Sequence, residues 1–270
     1  MRRFFNCRVL ICISLALSVS NSPIGAAELG NTAAIRVKVE GQVIKAGVYS
    51  LPPHSRLVDA ALSGGVRADA YLPGATWLHQ PAKASQQELK IGLIHDLTVF
   101  IRNAKLDNLP ESAALGLRLR NRVESMPTTG RLVNALDPIR LELDSKANHL
   151  LADGDELYYP ARPEIIIVQG AVTQDCVLPF VSQKVAADYA RACPQHGEAE
   201  TDWVYIIEPN GSTRLHTIAA WNAEKAQALL PGSQLLVPLR SRPGQPTDEL
   251  NTELARFLAT QVLPTQGQQP

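Results

Sequence analysis

The sequence predicts an α+β fold: two small sheet-and-helix modules, the first interrupted by an α-helical hairpin, followed by a C-terminal amphipathic helix. Three observations predict it. First, Val37-Lys38-Val39-Glu40-Gly41-Gln42-Val43 is echoed by Ile166-Ile167-Val168-Gln169-Gly170-Ala171-Val172. An apolar strand, a glycine and a valine recur, and a helical pattern follows each, which is an internal repeat. Second, strand-like alternation gives way to helical spacing between about 84 and 126. Third, Leu250, Leu254, Phe257, Leu258 and Val262 fall at i, i+4, i+7, i+8 and i+12, the stripe of an amphipathic helix.

The first residues bear on compartment. Arg2, Arg3 and Arg8 precede an apolar run from Val9 to Val19, and Pro23, Gly25, Ala26 and Ala27 supply small residues for cleavage. Residues 1–26 therefore read as a secretory signal peptide; an uncleaved anchor needs about 20 apolar residues. Cys12 lies inside the apolar run rather than after a lipoprotein box, and no later segment is apolar enough to span a bilayer. The full chain has 26 basic and 26 acidic residues. Removing the leader takes three arginines and no carboxylate, leaving 23 against 26, or −3. Such a surface does not attract nucleic acid by bulk charge. Cys7 and Cys12 leave with the leader, so Cys176 and Cys193 remain as an even pair. In an oxidising compartment that pair predicts a disulfide; two buried thiols are the other reading. The spacing is not C-x-x-C and only His196 is near, so no metal site is expected.

In the first module, Ile35, Val37 and Val39 alternate with charged residues as a half-buried strand. Ala46-Gly47 turns the chain into a second strand, Val48 to Leu51. Ser55 can cap a helix through Leu57 and Ala61, which Gly64-Gly65 ends. Gln86 to Lys105 and Glu111 to Met126 predict two helices separated by Asn108-Leu109-Pro110. Arg118, Arg120 and Arg122 in the second of these predict a solvated face paired with carboxylates. Strand texture returns at Arg131 to Val133, and Ile139, Leu141 and Leu143 alternate as another strand. Glu156 to Tyr159 closes the module. The second module opens with Ile165 to Val168. A helix is expected over Leu178 to Ala192, and strands at Trp203 to Ile207, Arg214 to Ile218 and Ser233 to Leu239. Pro209-Asn210-Gly211 is a hairpin turn signal.

The chain carries no H-E-x-x-H, G-x-S-x-G, P-loop or G-x-G-x-x-G pattern, and its six histidines lack ligand spacing. No cofactor is implied. A carbohydrate-processing enzyme needs only two carboxylates brought together from distant positions, so that class stays open as the alternative. Binding has more candidates. Trp77 and Trp221 could stack on sugar rings, or could be core or interface tryptophans. Arg131, in Thr128-Thr129-Gly130-Arg131, could hold a carboxylate or phosphate by paired hydrogen bonds, or pair a local carboxylate. The stripe Leu250, Leu254, Phe257 and Leu258 either docks on its own module or is offered to a partner or membrane.

The order of motifs carries a resemblance. Val39-Glu40-Gly41-Gln42-Val43, Ala46-Gly47-Val48-Tyr49, Leu57-Val58-Asp59-Ala60-Ala61 and Ser63-Gly64-Gly65-Val66 look like an SLBB motif of polysaccharide export proteins. Thr129-Gly130-Arg131, Tyr159-Pro160-Ala161-Arg162-Pro163, Val204 to Gly211 and Ala219-Ala220-Trp221-Asn222 extend it. The whole resembles the GfcC family of capsule biosynthesis proteins and covers nearly all of the chain after the leader. The resemblance implies two β-grasp modules, 33–162 and 163–240, with the helix 247–263 after them. It further implies a periplasmic, non-enzymatic protein of capsule or exopolysaccharide biosynthesis. Its implied partners are a polysaccharide or the outer-membrane polysaccharide export machinery. It also implies that Arg131 faces a pocket. The Cys176–Cys193 segment is not assigned to the family as a whole.

Overall fold

Val37 and Val39 are fully buried while their neighbours reach solvent, and this alternation builds β1 (Ile35–Gly41). It pairs antiparallel with β2 (Gly47–Leu51). The computed structural model describes residues 33–219, 228–241 and 247–263; residues 1–26, expected to be a signal peptide, and Trp221 lie outside the described residues. α1 (Leu57–Gly64) follows. The expected cap Ser55 instead donates its hydroxyl to the Pro52 carbonyl at 2.8 Å. The helix start is held by Asp59, whose carboxylate accepts the Arg56 N–H at 2.7 Å. Next come β3 (Thr76–Leu78), the hairpin helices α2 (Lys83–Leu106) and α3 (Pro110–Ser125), and β4 (Arg131–Leu132).

The strand expected at Ile139–Leu143 is a short helix, α4 (Pro138–Leu143). The Asp137 side chain accepts the Ile139 N–H at 3.0 Å and Pro138 occupies the first helical position. That is a strong local start signal. The apolar alternation does not mark a buried face, since only Leu141 is buried and Leu143 is 83% exposed. β5 (Glu156–Tyr159) completes a sheet in the order β2-β1-β5-β3-β4, with β1 and β5 parallel.

The second sheet contains β6 (Ile165–Gly170), β7 (Cys176–Pro179), β8 (Trp203–Ile207), β9 (Thr213–Thr217) and β10 (Gln234–Val237). Its order is β7-β6-β10-β8-β9, with β6 and β10 parallel. The helix expected from Leu178 is confined to α5 (Ala186–Ala192). Leu178 and Pro179 pair with Ile166 and Ile165 in β7, and the Tyr189 hydroxyl accepts the Val181 N–H at 2.7 Å. Those partners remove the backbone groups a longer helix would need.

Strand for strand the sheets match, each a mixed sheet with the same order of pairings. The recurring glycine has a physical cause. Gly41 lies opposite Tyr159 at φ 90°, and Gly170 opposite Val237 at φ 104°. A Cβ at Gly41 would come within 2.0 Å of the Tyr159 carbonyl oxygen, and one at Gly170 within 2.4 Å of the Val237 oxygen. Only glycine admits both the backbone angle and the approach.

Packing assigns the hairpin to the second sheet. Leu93 and Leu97 of α2 and Leu115, Leu119 and Val123 of α3 share one apolar cluster with Ile166, Val168 and Leu235. The first sheet has a separate core around Val39, Leu57, Leu136, Leu141 and Tyr159. Arg118 of α3 donates to the carbonyls of Gly170, Val172 and Thr173, and Arg122 pairs with Asp175 at 2.7 Å. Arg120 pairs with Glu124 on its own helix. Of the three arginines expected on a solvated face, Arg118 is therefore engaged by backbone of the second sheet. α6 (Thr247–Ala259) packs into the same large cluster through Leu250, Leu254, Phe257 and Leu258.

Candidate functional site

Two places draw functional side chains together. The first is where the hairpin returns to the first sheet. Gln86 projects from the apolar side of α2 and brackets the return: its side-chain oxygen accepts the Gly130 N–H at 2.7 Å, and its amide donates to the Arg131 carbonyl at 2.9 Å. Thr129 donates its hydroxyl to the Thr260 carbonyl at 2.6 Å. Arg131 is 5% exposed. Its Nη1 donates to the carbonyls of Ala259 (3.3 Å) and Gln261 (2.7 Å), and its Nη2 to the carbonyl of Pro209. One guanidinium thus joins β4, the β8–β9 turn and the C-terminal end of α6. Those acceptors are neutral carbonyls, and the ones from α6 lie at the negative end of its dipole. Burial pushes the guanidinium down to about 10, so it stays charged at neutral pH. Both Nη groups are thus directed at the chain itself, while Nε is buried with no partner among the described residues.

The terminal helix is fixed along its length. Leu250, Leu254, Phe257 and Leu258 are buried, Phe257 fully, against α2 and the second sheet. Each such side chain contributes about 1.5–3 kcal/mol. Asn251 accepts the Leu239 N–H and donates to the Leu239 carbonyl, both at 2.8 Å. The stripe considered for a partner is therefore covered by its own chain. Cys176 and Cys193 form a disulfide, tying edge strand β7 to the end of α5.

The second place surrounds Trp77. The indole sits in β3 between β5 and β4 and belongs to the first core. Its Nε1 donates to Asp155 at 2.9 Å. Asp155 is fully buried, and its carboxylate also meets His79 Nδ1 at 2.9 Å and the backbone N–H groups of Gln80 and Ala152, both at 3.0 Å. Several donors around one carboxylate make burial of the charge tolerable. His149 stacks on the indole at 5.6 Å between ring centroids, so one face of Trp77 is covered. In front of these rings lies an open groove of about 600 Å³, bordered by Arg56, Trp77, His79, Val133, Asn148 and His149.

Arg131 and Trp77 thus occupy separate settings, and Trp221 lies outside the described residues. Sequence reasoning missed Asp155, His79 and Gln86. Gln86 leaves one trace, a polar residue on the buried side of α2. Asp155 leaves none, because its side-chain partners Trp77 and His79 lie 78 and 76 residues away. Among the described residues, no group of three His, Cys, Asp or Glu could hold a metal ion. No described helix is long and apolar enough to cross a membrane.

Comparison with known proteins places the chain in a family. The family model described as capsule biosynthesis GfcC, N-terminal, matches residues 31–162, and that described as capsule biosynthesis GfcC C-terminal matches residues 174–263. The chain is also similar to an Escherichia coli (strain K12) protein described as "Uncharacterized protein YjbG". The two are 25% identical over 196 residues, 72% of this chain and 78% of that protein. Both family models match in order across almost all of the described chain, and the chain therefore belongs to the GfcC capsule biosynthesis family, a non-enzymatic component of capsule and exopolysaccharide biosynthesis.

Proposed function

We propose that this protein works in the periplasm as a binding or scaffold component on the export side of capsule or exopolysaccharide biosynthesis. Its partners would be the polysaccharide or the outer-membrane polysaccharide export machinery. The observation that carries the scaffold reading is the position of Arg131, whose donors reach both sheets' segments and the end of α6. A guanidinium so engaged supports a framework role. The matched strand orders and the SLBB-like motif support two β-grasp modules, 33–162 and 163–240, with the hairpin at about 84–126 and the helix 247–263. The leader at residues 1–26 and the disulfide between Cys176 and Cys193 support the compartment. Of the residues considered for ligand, Trp77 borders the groove, and Trp221 remains a candidate on sequence alone.

In vivo crosslinking followed by purification of the full-length protein tests this reading. The expected result is an adduct with the outer-membrane export channel, recovered from cells whose processed protein begins near Ala27. An unprocessed cytoplasmic protein with no such adduct overturns it.

A further inference from the structure

The groove before Trp77 is lined by basic, polar and apolar side chains. Among its lining residues there is no carboxylate, while Arg56, His79 and His149 all border it. Arg56 is exposed, and its Nη1 donates to the Asn148 carbonyl at 2.6 Å, which steadies the side chain while Nε and Nη2 keep free donor capacity. Among the described residues Arg56 makes no ion pair. The antiparallel bridge between Arg56 and Leu150 holds the two walls together.

His79 is oriented from behind. Asp155, fully buried, engages Nδ1, so the ring's Nε2 is left without a partner among the described residues. That is how a carboxylate sets which imidazole nitrogen meets a ligand. The His149 ring stacks on the indole. Leu132, Val133 and Leu150 add apolar surface beside these polar groups. A volume of about 600 Å³ lies within the range of small-ligand sites.

We infer that this groove binds a carboxylate-bearing saccharide unit. The Arg56 guanidinium takes the carboxylate, His79 Nε2 and Asn148 meet hydroxyls, and the apolar wall takes a C–H face of the sugar. Arg131 plays no part in the contact. The inference rests on the binding role proposed above and adds to it a place and a ligand charge.

Calorimetric titration of the processed chain tests it, with trigalacturonate and a hyaluronan tetrasaccharide as acidic probes and cellotriose as the neutral one. The expected result is at least tenfold tighter binding of an acidic probe than of cellotriose. Arg56→Ala and His149→Ala should each weaken it fivefold or more without lowering the melting temperature. Both side chains are exposed, so these variants keep the fold. His79→Gln, which keeps a hydrogen-bonding group, should lose less than His79→Ala. Equal affinity for acidic and neutral probes overturns the charge assignment. Unchanged affinity in Arg56→Ala and His149→Ala overturns the site. Inorganic phosphate binding as tightly as the acidic probes makes it a bare-anion site and overturns the saccharide. If no probe binds while the crosslink to the export channel persists, the groove assignment fails and the scaffold role stands.

Discussion

Arg131 Nη1 donates to the carbonyl of Gln261 at 2.7 Å, across 130 residues of chain. The same guanidinium reaches Ala259 and Pro209. Replacing it strands several buried acceptors at once. Arg131→Met should cost about 3 kcal/mol of stability, lowering the melting temperature by roughly 6–12 °C. Urea unfolding checks this. Loss of stability with unchanged binding of acidic saccharide would separate the framework from the groove.

Glycine replacements give opposite signs by position. Gly41→Ala and Gly170→Ala each drive a Cβ into a carbonyl of the parallel partner strand and should cost more than about 2 kcal/mol. Gly92 lies within α2, and a Cβ there meets nothing within 4 Å. Gly92→Ala should stabilise by about 0.5–1 kcal/mol. Denaturant midpoints of the three variants, measured side by side, test the geometry of the parallel pairs.

The Cys176–Cys193 bridge closes a separation of 17 residues. The double Cys176→Ser, Cys193→Ser variant should lose about 3 kcal/mol in the chain-entropy view. Thiol titration of the processed native protein should find no free cysteine. A free pair, or a variant as stable as wild type, would remove the bridge from the account of stability.

Alkaline pH should unfold the protein before its buried tyrosines ionise. Burial, first among the causes, raises the Tyr71 phenol to about 12, and burial raises Tyr159 further still. The folded chain holds these protons while the unfolded chain releases them near pH 10. Stability is therefore full below about pH 10 and falls as pH rises towards 12. Tyr71→Phe should flatten that fall. Phenolate absorbance and unfolding, followed together, provide the check.

The features legible in the sequence are those that repeat locally. The strand–glycine–valine echo at Gly41 and Gly170 is visible because each glycine answers to its own strand's partner. The stripe of α6 is visible as periodicity, although periodicity does not say what covers it. Ile139–Leu143 misleads because three alternating apolar residues outweigh Asp137 and Pro138, which are the decisive local signals. Leu178–Ala192 misleads because Val181, Val185 and Tyr189 fit helical spacing, while strand pairing and the Tyr189 hydroxyl act from a distance. Asp155 is not legible at all, since its role depends on residues in β3 and beyond. Arg131 is legible as an important position, but its three carbonyl partners come from segments no local pattern connects.

The most direct test is the amount of polysaccharide displayed on cells lacking this protein. Deletion should sharply reduce surface polysaccharide, and the wild-type chain supplied from a plasmid should restore it. A deletion strain that displays the normal amount, under conditions where the capsule or exopolysaccharide is made, would contradict a role on the export side.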